Sequence, residues 1–159
     1  QGYAPVQPIP FSHKIHAAQY KIDCQYCHSD ARRSEYAGIP SVNRCMGCHK
    51  ITAADRAEIK KLAEYFNRKE PIPWVRIFKV PEYVYFPHKA HIRAEVTCQT
   101  CHGPIENMDV VSAKTGQNFL NDFMNLAGLA RTSPPLTMGW CVECHRKQKA
   151  TLDCMTCHH

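Results

Sequence analysis

The sequence predicts a mainly α-helical chain with extensive loops and little or no sheet, organised around something other than an ordinary apolar core. Three observations carry that expectation. All ten cysteines fall in C-x-x-C pairs, Cys24/Cys27, Cys45/Cys48, Cys98/Cys101, Cys141/Cys144 and Cys154/Cys157, and each pair is followed at once by a histidine: His28, His49, His102, His145 and His158. The stretch FSHKIHAAQYKIDCQYCH (11–28) returns, one residue shorter, as FPHKAHIRAEVTCQTCH (86–102). Five such motifs share 159 residues, about 32 for each, which leaves little polypeptide for a conventional core.

Three chemistries use cysteine pairs of this spacing. A disulfide framework explains an even count but neither the uniform spacing nor the histidines. Structural zinc takes C-x-x-C pairs two at a time, so five pairs leave one over, and it has no need of a histidine after every pair. Covalent haem c asks for this pattern: two thiols bind the two vinyl groups on one porphyrin edge, and the next residue turns its imidazole under the iron. The expectation is five covalently bound haem c groups forming the core of a small multihaem cytochrome, with the chain wrapped over them as short helices and loops.

The remaining histidines are His13, His16, His88, His91 and His159. A low-spin haem iron takes a second axial ligand on its far face, usually His or Met. In each H-K-x-H the two imidazoles stand three residues apart, on one side of a helical turn. They cannot both reach one iron, so each copy is expected to serve two haems, and Lys14 and Lys89 between them read as solvated. For the fifth haem, counting favours His159.

Taken in order, the repeat divides the chain into a two-haem module with a linker helix (1–70) and a three-haem module (71–159). The first begins with the proline-spaced lead QGYAPVQPIP and holds two attachment motifs. A helix is predicted over 53–69, capped by Thr52 with Asp55 three residues on, and stopped before Pro71. Its stripe of Ile59, Leu62, Ala63 and Phe66 is expected against haem or the second module. Residues 71–88 should run extended, because Pro71, Pro73, Pro81 and Pro87 forbid helix. A second helix is predicted over 117–131, where Leu120, Phe123, Met124, Ala127 and Leu129 would cover a haem face or meet a partner subunit.

The formal charge is +6. Each ferric haem with its two propionates adds about −1, so the oxidised holoprotein stands near about +1, and nucleic acid is excluded as a partner. Arg32, Arg33, Arg146 and Lys147 read instead as propionate neighbours. No apolar run approaches the roughly 20 residues of a membrane span, and no signal peptide is evident.

FSHKIH, IDCQYCHSDAR, GIPSVNRCMGCHK, WVRIFKVPEYVYFPHKAH, CQTCHGPIENMDVV and PLTMGWCVECHR closely resemble the pentahaem cytochrome c subunit of alternative complex III, a bacterial quinol:electron-acceptor oxidoreductase. The resemblance covers roughly 3–112 and 134–158. More distantly, the chain is similar to small bis-His class III cytochromes that share the F-x-H-x-x-H opening. The resemblance implies a subunit on the periplasmic face of the cytoplasmic membrane. It would take electrons from an iron–sulfur subunit, after quinol oxidation at integral-membrane subunits, and pass them to a monohaem cytochrome c or other soluble acceptor. Members of that family carry a membrane helix just before the G-x-A-P-x-Q-P segment, where this sequence begins, and the connection over 117–131 is longer here. For the fifth distal ligand the resemblance favours methionine, matching Met138 in M-G-W-C, with Met108 a further candidate.

Two other functions compete with that of an electron-transfer subunit. A periplasmic multihaem reductase of small oxyanions needs an iron with an open position. Here the available ligands can close all five irons, and no constellation of acid–base groups marks a pocket. A free periplasmic electron shuttle would share the same chemistry and differ only in attachment.

Overall fold

Cysteines at i and i+3 with histidine at i+4 make one turn of helix, and all five motifs adopt one. The computed structural model describes residues 3–113, 134 and 136–158. Its α-helices are α1 (Cys24–Cys27), α2 (Val42–His49), α3 (Ala57–Arg68), α4 (His88–Arg93), α5 (Cys98–His102), α6 (Met138–Lys147) and α7 (Cys154–Cys157). Three start on side-chain caps: Asp23 accepts from the Gln25 N–H, Thr137 from Trp140 and Asp153 from Met155. Each satisfies a backbone donor that a short helix leaves open. Among the described residues extended chain pairs only at two isolated bridges, Tyr3 with Ala113 and Val84 with His158, so there is no sheet. No described helix is long and apolar enough to cross a membrane.

The one-residue difference between the repeat copies is taken up within a single turn. In the shorter copy, Ala94 N–H donates to Ala90 four residues back (3.1 Å), and Val96 to His91 five back (3.1 Å). In the longer copy, Tyr20 donates to Ile15 five back (3.0 Å), and Ile22 to His16 six back (3.0 Å). The first copy is therefore a π-helix, Lys14–Gln19, where the second is α4. Such turns accommodate one inserted residue in an α-helix. Both copies then reverse through a left-handed residue three positions before the first cysteine, Lys21 (φ 57°) and Glu95 (φ 57°).

The linker helix begins later than predicted. Thr52 does not cap it. Its N–H extends the end of α2 by bonding to the Cys48 carbonyl (2.9 Å), and its own carbonyl accepts from His49 Nδ1 (2.9 Å). Ala53 follows in the left-handed region (φ 55°), and α3 starts at Ala57 behind Arg56, which offers no side-chain cap. Its end agrees with expectation: Lys69 turns left-handed (φ 57°) and bonds back to Phe66 and Tyr65 before Pro71. The predicted stripe packs against the first half and, through Ile72 and Trp74, against the start of residues 71–159. Leu62 is buried with Ile9, Met46 of α2 and Ile72, and Ile59, Ala63, Phe66 and Trp74 pack against this cluster. The predicted helix over 117–131 lies outside the described residues.

The halves exchange contacts. The π-helix of the first half docks on the 3-10 turn Ile105–Asn107 of the second. There Lys14 N–H donates to the Met108 carbonyl (3.0 Å), Ser12 Oγ to Asp109 (2.7 Å), and Lys14 Nζ pairs with Asp109 (3.6 Å). Reciprocally, α4 docks on the 3-10 turn Ser29–Arg32 of the first half, where Lys89 N–H donates to Ser34 (3.3 Å). Each histidine helix is thus held by the segment that follows the other copy's cysteine motif.

Leu62 sits at the centre of the small apolar cluster, 5% exposed. Leu62→Ala is expected to cost about 2–5 kcal/mol through lost burial and the cavity left behind. The check is a lower denaturant midpoint at unchanged slope.

Candidate functional site

Helical geometry sets two thiols and the following imidazole of each motif on one face, a turn apart. None of the ten cysteines is in a disulfide. Among the described residues no three His, Cys, Asp or Glu side chains converge as a metal-ion site. The thiols instead neighbour one another in series. Burial raises Cys45 and Cys27, with Cys27 adding to the rise at Cys45 and Cys48 to that at Cys27. Burial, then the neighbouring Cys98 thiol, raises Cys24. Cys101 is pushed up to about 11 by burial and then by Cys141, Cys144 and Cys98. Cys141 is raised by burial and by Cys157. The motifs therefore follow one another in the order second, first, third, fourth, fifth. The first and third meet across the halves, at a cleft lined by Cys24, Gln25, Ile92, Val96 and Cys98.

The imidazoles are oriented by backbone. Nδ1 donates to a carbonyl in His16 (Ser12, 2.8 Å), His28 (Gly38, 2.7 Å), His49 (Thr52, 2.9 Å), His91 (Pro87, 3.0 Å) and His145 (Thr151, 2.7 Å), and His88 donates to Glu35. A carbonyl only accepts, so Nδ1 carries the proton and Nε2 keeps its lone pair, the form that binds a metal. His13, His102 and His158 make no such bond among the described residues, and in the first two Nδ1 is buried without a partner. Burial, then neighbouring imidazoles, holds His13 and His102 down to about 4, which keeps these two neutral at physiological pH. The neighbours are His28 and His16 for His13, and His88 and His28 for His102.

The rings come in pairs. His16 faces His49 with centroids 6.0 Å apart, His88 faces His102 at 6.4 Å with planes 4° from parallel, and His91 faces His145 at 6.0 Å. Metal–imidazole bonds are about 2 Å long, so two rings on opposite faces of one iron stand with centroids about 6 Å apart. The donor sets fit haem c: each motif supplies two thiols and an imidazole, three of the five have a second imidazole set against the first, and His13 neighbours His28 at a fourth. Each H-K-x-H directs its two histidines to two different motifs.

Phenylalanine positions these pairs. Phe11 meets His13 edge-on (4.9 Å, 86°) and stacks on His16 (4.4 Å, 22°). Phe86 repeats this with His88 (4.9 Å, 85°) and His91 (4.3 Å, 23°). The recurrence of Phe at the head of both copies is the sequence signal for this role. Phe78, edge-on to His102 at 4.6 Å, and the carbonyls of Glu35 and Gly38 had no such signal.

Around the fifth motif, Tyr83 stacks on His158 (5.9 Å, 27°) and Tyr85 N–H donates to the Cys157 carbonyl (2.9 Å). Met138 opens α6, 66% exposed. Met108 is half-buried, its carbonyl taken by Lys14, and His159 lies outside the described residues. Arg32 and Arg33 line one cleft with Arg44 beside α1, whereas Lys147 pairs with Glu143 (2.7 Å).

Residues 84–159 match the family described as cytochrome c7 and related cytochrome c, and residues 1–73 match the class III cytochrome c family. The chain is also 27% identical to the menaquinone reductase, multiheme cytochrome c subunit, of Nitratidesulfovibrio vulgaris (strain Hildenborough), over 96% of this chain and 76% of that protein. Both ends are thus similar to multihaem c-type cytochromes that carry covalent haem c.

Proposed function

We propose that this multihaem c-type cytochrome is a five-haem electron wire, with two sites in residues 1–70 and three in 71–159 forming one continuous unit. Each C-x-x-C pair holds one haem through its thiols, and the histidine after it is the proximal ligand. The second axial ligands are His13 opposite His28, His16 opposite His49, His88 opposite His102 and His91 opposite His145. For the site of His158 the donors to test are Met138, Met108 and His159. Met138 comes first because it lies one turn before Cys141, which neighbours Cys157.

Haem c supplies a reversible one-electron iron couple. The protein's part is to close both faces of each iron, hold the imidazoles neutral and set the sites in series. The ring pairing carries this reading over that of an oxyanion reductase, since two imidazoles on one iron leave no position for substrate. The exchange of contacts between the halves supports a single unit.

The N. vulgaris relative supports a place in a membrane quinone-linked complex. From the sequence resemblance we assign that complex as alternative complex III at the periplasmic face, with an iron–sulfur subunit as donor and a cytochrome c as acceptor. The relative's name favours a second reading in which electrons run toward menaquinone. Reduction of the isolated complex by menaquinol, followed in the haem bands, separates the two directions.

Denatured protein is expected to keep its colour, and its mass should exceed that of the polypeptide by five haem groups. A colourless, zinc-containing product contradicts the reading.

In the reduced holoprotein, carbon monoxide should barely perturb the spectrum, and nitrite, hydroxylamine and sulfite should not turn over. His16→Ala and His91→Ala should each remove one low-spin EPR signal and open one site to carbon monoxide, with covalent attachment intact. Five unchanged low-spin signals in either variant would refute the assigned pairs.

A further inference from the structure

The eight paired imidazoles are not held alike. At the second and fourth motifs both rings donate Nδ1–H to a carbonyl, His16 and His49 in one, His91 and His145 in the other. At the first motif only His28 does so, and at the third only His88. Their partners, His13 and His102, have an Nδ1 that is buried and meets no acceptor among the described residues. These nitrogens have essentially no contact with solvent, so a water does not take the carbonyl's place.

An acceptor on Nδ1–H draws the proton outward and pushes electron density to Nε2, making the imidazole a stronger donor. A stronger donor favours ferric over ferrous iron, and second-shell hydrogen bonding is among the levers a protein has on haem potential. The two sites with one unassisted imidazole also lie side by side, since Cys24 and Cys98 line one cleft and His28 lies close to His102. The fully assisted sites flank them, the second motif beyond Cys27 and the fourth beyond Cys101.

We propose that the unpartnered Nδ1 atoms of His13 and His102 make the first and third sites the higher-potential pair, so that the chain collects its first electrons at the junction of its halves. This rests on the axial pairs assigned above. Each site takes up one electron, Fe(III) becoming Fe(II), with the electron drawn from the reductant that sets the potential. No bond is made or broken. The fifth site stands outside the comparison because its second ligand is not assigned.

The test is a potentiometric titration of the holoprotein followed by EPR, each low-spin signal being assigned through His13→Met, His16→Met, His88→Met and His91→Met. In the first stage of reduction, the signals altered by His13→Met and His88→Met should titrate before those altered by His16→Met and His91→Met. The expected separation is at least tenfold in the ratio of reduced to oxidised sites, about 59 mV for one electron. If the sites of His16 and His91 titrate together with or ahead of the other pair, the proposal is overturned while the ligand assignment stands. If the four variants leave every low-spin signal unchanged, the assignment falls and the proposal with it.

Discussion

An imidazole offers its Nε2 lone pair to a metal only while its proton is kept at Nδ1, and inside a protein a proton is best kept by an acceptor. Much of the irregular backbone here follows from supplying that acceptor. Gly38 gives its carbonyl to His28 from a left-handed turn (φ 70°), drawn in so tightly that a Cβ there would lie 2.6 Å from the Asp30 carboxylate. A side chain at this position would face both strain and collision. Thr52 gives its carbonyl to His49 just before left-handed Ala53, and Thr151 gives its own to His145 two residues after left-handed Lys149. Short helices ending in abrupt reversals are what a chain needs to bring a carbonyl back over each ring.

The sequence made the chemistry legible and left its support hidden. Motif spacing and the repeated histidines named the candidate donors, because side-chain identity carries that information. The supporting carbonyls belong to Ser, Gly, Thr, Pro and Glu alike, so no residue type announces them. The misplaced start of α3 has this cause: Thr52 reads as a helix cap by its hydroxyl, but its backbone is engaged with Cys48 and His49. The stripe on α3 was identified correctly as buried, yet pattern alone could not say that its partners were Met46 of α2 and Ile72 just beyond the helix. Phe11 and Phe86 fall between these cases, visible as a recurrence and interpretable only once their rings were placed.

The extra residue in the first copy shows which distances matter. An insertion between the histidine pair and the cysteine pair could have rotated one against the other. The π turn takes it up instead, so that Phe11 and Phe86 meet their histidines with nearly the same separations and angles. A widened turn forgoes some regular hydrogen-bond geometry. In return, both copies present the same pair of imidazoles.

The exchange of contacts between the halves bears on how the chain matures. Synthesis runs from the N-terminus, so Cys24 and Cys27 are available for thioether formation well before residues 105–109 exist to anchor the helix that carries His13 and His16. Until then the helix that carries His13 and His16 lacks the anchors it has in the folded chain. Docking comes only when the latter half arrives, and α4 is locked by the same event against residues 29–36. Both histidine helices are therefore anchored only once residues of the two halves are present together.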